Sequence, residues 1–152
     1  MAINYKQKLF IRKSWEGQFR TICLPCDARP AEGVRVFVVR SRDINNEQVF
    51  LQEVDRMEAG HGYVFLSERR RAVFYSEGEW VDAPVRDEPL TGTFTPCPQL
   101  HPHQFLLYDN AWYYAGNSLS IEAYCASLNL NLLPYGNEGQ AMSVHPVTLL
   151  KE

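Results

Sequence analysis

No uninterrupted apolar run in this chain of 152 residues approaches the roughly 18 that a membrane-spanning helix needs. No insertion into a bilayer is therefore expected. No secretory leader is expected either, because Lys6, Lys8, Arg12 and Lys13 interrupt the short apolar pairs near the start and a leader requires a continuous apolar core. The balance of charge is not basic: a formal net charge of −3 gives no global pull on phosphate, so nucleic acid is not an expected partner. Cysteine is confined to Cys23, Cys26, Cys97 and Cys125. A chain of this size buries a core without covalent staples, and reduced thiols are expected.

Catalytic signatures are absent too. There is no Gly-x-Ser-x-Gly elbow, no His-Glu-x-x-His pair and no glycine-rich phosphate loop. His61, His101, His103 and His145 form no constellation in the sequence and read as loop or partly buried residues. Glu53, Glu58 and Glu122 read as strand or turn residues. The reading is of a protein without catalytic residues, cofactor or metal. Nor does any stretch hold a 3.6-residue apolar period over three turns; Ser120 to Leu128 is the best helical candidate.

What the chain does have is alternation. Val34, Val36 and Val38 interleave with Arg35, Phe37 and Val39, and Gln48 to Val54 resumes the pattern after the turn residues Arg42 to Asn46. This central hairpin is the stretch around which the rest is organised. Upstream, Lys8 to Arg12 and Gln18 to Leu24 read as a hairpin around Glu16-Gly17, with Trp15 near its turn, and Ala28 to Gly33 reads as a loop. Downstream, Met57 is an inward plug, Gly62 to Leu66 and Ala72 to Tyr75 are short strands, and Ser76 to Glu79 turns the chain toward Trp80. Pro84 to Pro102 is too rich in proline for a helix or central strand, although Leu90 to Thr95 suits a sheet edge. Phe105 to Tyr108, Asp109-Asn110 and Ala111 to Tyr114 form the clearest hairpin, since Asp and Asn tolerate the positive φ of a type I′ turn. Ala141 to Leu150 is a last strand interrupted at Pro146.

Met57-Glu58-Ala59 before an apolar strand echoes Ile121-Glu122-Ala123 before another. The expected fold is therefore all-β, an antiparallel sandwich or distorted barrel. It forms one domain over residues 1–152, built of two similar units, about 8–83 and 90–150, joined by the proline-rich segment.

Phe19 to Asp27, ending Leu24-Pro25-Cys26-Asp27, followed by Pro30-Ala31-Glu32-Gly33-Val34, resembles a β-rich repeat module of secreted cell-surface proteins of gut anaerobic bacteria. Glu53-Val54, Met57-Glu58-Ala59, Tyr63 to Leu66, Leu90-Thr91-Gly92-Thr93, Phe105 to Tyr108, Trp112-Tyr113 and Ile121-Glu122-Ala123-Tyr124 follow in the module's order. The resemblance spans roughly 19–128. It implies an all-β module without known catalytic residues. Met57 departs from it, standing where the family has Ile-Pro, and so does a short chain in which no leader is expected.

Cys23-x-x-Cys26 with Cys97, His101 and His103 offers zinc-ligand types, but the first pair lies at a strand end and the second cluster lacks paired cysteines. Small buried hydrophobes are the simpler reading. Glu68-Arg69-Arg70-Arg71 reads as a polar hairpin turn. The aromatics Trp15, Trp80, Trp112, Tyr113 and Tyr114 are the candidate interaction surface, because exposed aromatics carry large contact area at low entropy cost. The functional expectation is a structural or interaction protein docking onto protein partners in a larger assembly, such as a capsid-decorating or tail-associated component on a phage virion surface. The alternative is an extracellular adhesion or glycan-binding module.

Overall fold

The computed structural model of the chain describes residues 9–96, 104–114 and 121–148. The described residues are all-β, in two sheets. The strands are β1 (Leu9–Lys13), β2 (Phe19–Cys23), β3 (Cys26–Pro30), β4 (Val34–Arg42), β5 (Gln48–Val54), β6 (Gly62–Ser67), β7 (Arg71–Trp80), β8 (Leu90–Gly92), β9 (Phe105–Tyr108), β10 (Ala111–Tyr114), β11 (Ala126–Leu128) and β12 (Gln140–Thr148). A nine-stranded sheet runs β2-β6-β4-β5-β12-β10-β9-β11-β8, and a three-stranded sheet runs β1-β7-β3.

The larger sheet curls until β2 approaches β8, β9 and β11, giving a nearly closed, distorted barrel. No strand ladder joins β2 to its new neighbours, and separate clasps close the seam instead. Ala126 N donates to Thr21 Oγ1 at 3.0 Å, and Cys23 N donates to the Tyr124 carbonyl at 2.9 Å. Asn110 Oδ1 accepts from Phe19 N at 2.8 Å while its Nδ2 donates to the Gly17 carbonyl at 3.1 Å.

The central hairpin forms as its alternation requires, but both faces of β4 are buried. Phe37 and Val39 point into the barrel with Val49, Leu51, Val64, Trp112, Leu128 and Met142. Val36 points the other way, into a second core with Ile22, Met57, Phe65 and Phe74 beneath the small sheet. Strand β6 is divided likewise, with Val64 in the first cluster and Tyr63 and Phe65 in the second. The turn between β4 and β5 is held by Asp43 Oδ1, which accepts from Glu47 N at 2.7 Å and Gln48 N at 2.9 Å.

Several expectations need correction. The first two strands do not form a hairpin: β1 pairs with β7 and β2 with β6, in different sheets. Residues 28–30 are not loop, because β3 is an edge strand, where Pro30 costs no ladder bond. Ser76 to Glu79 does not turn the chain; β7 continues through it with a register shift opposite Asp27, and Gly78 packs against the Asp27 side chain. Arg69 to Arg71 do not cap a hairpin, since here the chain leaves one sheet for the other. The bend is shaped by Ser67 Oγ, which donates to the Arg71 carbonyl and accepts from Arg69 N.

Over the described part of the helical candidate the chain turns at Ala123-Tyr124 and enters β11; Ser120 lies outside the described residues. The last strand passes Pro146 through a register shift in its pairing with β10. That β10–β12 pairing is parallel, the one departure from an antiparallel arrangement among the described ladders. The Asp109-Asn110 turn forms as expected, with φ of 49° and 63°. Met57 is an inward plug, 2% exposed, and Leu90 to Gly92 forms an edge strand, β8.

Candidate interaction surface

The small sheet turns one face to the second core and the other to solvent. Residues alternate along each strand, so Phe10, Ala72, Phe74 and Ala28 lie on the inner side, and Leu9, Ile11, Val73 and Tyr75 lie outside. The register places Leu9 opposite Tyr75 and Ile11 opposite Val73, which makes these four one contiguous group. Leu9 is 50% and Ile11 58% exposed, while Val73 and Tyr75 are half-buried. The Arg29 guanidinium covers Tyr75 at 4.6 Å, and Glu77 holds both Arg29 and Arg56 at the far end of β7. Arg69, Arg70 and Arg71 stand at the near end, beside an open cleft floored by Ala31, Val34, Val73 and Tyr75.

The expected aromatic surface is split up by the fold. Trp112 is a correction: it is fully buried in the barrel, because the β10 alternation turns it inward, and its indole Nε1–H finds no acceptor among the described residues. Tyr114, on the same side of β10, is half-buried and meets Phe105 edge-on at 5.6 Å. Tyr113 faces outward, stacked on His145 at 4.9 Å and edge-on to the exposed Tyr108.

Trp15 is half-exposed, but its ring carries Lys13 Nζ at 5.2 Å and the Arg20 guanidinium at 5.1 Å. Arg20 also donates to the Lys13 carbonyl. Burial, and then the charge of Arg12, lower the Arg20 pKa. Trp80 is half-exposed and packs on Phe10 at 5.5 Å. The five aromatics thus form no single surface. The group that does, Leu9 with Ile11, Val73 and Tyr75, was visible in the sequence only as a short apolar run without its cross-strand partners.

The cysteines also separate. Cys26 Sγ lies 3.3 Å from Ser76 Oγ, whereas Cys23 is wedged against Gly92. Burial, followed by the charges of Glu88 and Cys125, pushes the Cys23 thiol up to about 12. Arg12 donates to Cys125 Sγ and to the Tyr124 carbonyl, tying the small sheet to the barrel seam. Cys97, His101 and His103 lie outside the described residues, and no group of three metal-ligating side chains occurs among those described. His61 sits between Glu88 at 2.8 Å and Glu58 at 3.6 Å. Glu53, read as a strand residue, pairs with Arg35 on the β4–β5 surface.

No protein-family model, curated protein or solved structure matches this chain.

Proposed function

We propose that this chain is a non-enzymatic interaction subunit that docks onto a larger assembly through the outer face of its small sheet. The observation that carries the reading is the contiguous group of Leu9, Ile11, Val73 and Tyr75, with Leu9 50% and Ile11 58% exposed. Single exposed apolar residues need no explanation, but a clustered set rimmed by charge marks a surface that is covered in use. In its most specific form the reading makes the chain a capsid-decorating or tail-associated virion subunit. Cosedimentation of the chain with intact particles tests it. Binding is expected for the native sequence and lost in the double variant Leu9→Lys/Ile11→Lys, with the circular-dichroism spectrum unchanged. Undiminished binding by the double variant would overturn the reading.

A second reading has its own observation. Tyr108, Tyr113 and His145 gather aromatic rings on the outside of the barrel, a platform of the kind on which sugar rings stack. Glycan binding that survives Leu9→Lys/Ile11→Lys and disappears in Tyr108→Ala would favour it. Trp112, enclosed in the core, cannot take part in such a platform.

A further inference from the structure

We propose that the outer edge of β1 pairs with β1 of a second copy of this chain, antiparallel about a twofold axis at Ile11. The proposal rests on the reading of the small sheet as an interaction surface, and it names one occupant. Among the described residues β1 pairs with β7 alone, leaving its other edge a row of backbone donors and acceptors of the kind that templates strand addition.

The side chains of β1 select the partner and its direction. A twofold at Ile11 pairs Leu9 with Lys13, Phe10 with Arg12, and Ile11 with itself, so no like charges meet. Parallel pairing in register would set Arg12 beside Arg12 and Lys13 beside Lys13, which is destabilising for directly opposed side chains. The neighbouring strand is consistent with the same choice. Because Ile11 stands opposite Val73, the twofold joins Val73, Ile11 and their symmetry mates into one apolar row across the new sheet. The other copy's Glu77, level with Arg69, is already paired with Arg29 and Arg56, so the choice of direction rests on Arg12 and Lys13 of β1 itself. The small sheet of each copy then becomes half of a six-stranded one, and Ile11, now 58% exposed, is covered.

A contact this short lies below the size of stable interfaces, so the pairing is concentration-dependent and reversible. Sedimentation velocity of the full chain over a wide concentration range tests it. A monomer–dimer equilibrium is expected, weakened by more than about tenfold in Ile11→Lys, which places like charges at the axis. The equal change Ile44→Lys, at a 78% exposed position in the β4–β5 turn, is expected to leave it intact. Ile11→Cys is expected to form a disulfide-linked dimer through position 11 under mild oxidation, identified by peptide mapping. The proposal is overturned if the native chain stays monomeric throughout, if Ile11→Lys dimerises as well as the native chain, or if Ile44→Lys weakens the dimer equally. A monomeric chain that still binds particles through Leu9 and Ile11 would overturn self-pairing alone and leave the docking reading standing.

Discussion

Gly60 and Tyr124 occupy the same place in two turns of one design. Each lies three residues after a bridge residue, Met57 in one case and Ile121 in the other. Each has positive φ, 81° and 62°, and each stands two residues before a strand, β6 or β11. The backbone needs the left-handed conformation at both places. Only the first supplies glycine, while at the second Tyr124 holds it with its ring against Phe94 at 6.0 Å.

Gly60→Ala is therefore expected to destabilise the protein by about 1–2 kcal/mol, the cost of placing a Cβ in the left-handed region. Tyr124→Gly relieves a similar cost but loses an aromatic contact worth about 0.5–1.5 kcal/mol. It should fall close to neutral. Urea unfolding of both variants checks the asymmetry, and equal losses would show that the two turns are not equivalent.

Asn110 does two jobs, and substitution can separate them. Glycine satisfies the turn as well as asparagine does, but it cannot make the bonds to Phe19 N and the Gly17 carbonyl. Asn110→Gly should cost about 0.5–1.5 kcal/mol for each hydrogen bond lost. Asp109→Gly, on the same turn, is expected to cost clearly less. Thermal melts of the pair decide the matter.

Trp112 is structural. Replacing it by alanine should cost roughly 3–5 kcal/mol through cavity formation. Trp112→Phe is expected to cost much less, because it also removes a buried N–H that has no acceptor among the described residues. Calorimetric midpoints measure the difference; equal losses in the two variants would count against cavity formation as the main cost.

Alkaline pH should weaken the fold through Cys23. An unfolded thiol gives up its proton near 9, and the buried one holds it to about 12. Between these values the unfolded state binds fewer protons, so stability falls as pH rises, by up to about 1.4 kcal/mol per unit. Tyr63, whose pKa burial also raises, adds to the fall in the same direction. Urea midpoints from pH 8 upward in native and Cys23→Ala chains test this, and the variant is expected to show the shallower slope.

The residues made local structure legible and long-range pairing much less so. Alternation identified β4 and β5, Asp109-Asn110 announced its turn, and the Met57/Ile121 echo marked two turns of like geometry. Alternation does not say which strand will be a neighbour, and adjacency in the chain misled at β1, whose partner β7 lies more than fifty residues downstream. Proline and glycine misled where edges and bulges absorb them, as at Pro30 and Gly78. The aromatic surface was misjudged at Trp112 because the period of two defines two faces without saying which one meets solvent. Leu9 and Ile11 stayed inconspicuous because the significance of each depends on Tyr75 and Val73.

Strands β4 and β6 are a party wall, each lending one side to the barrel interior and the other to the space beneath the small sheet. A cavity cut on either side of that wall removes support from the other. The two layers are therefore expected to melt together in one transition, and a change at Val36 should be felt at Phe37's neighbours in the opposite compartment.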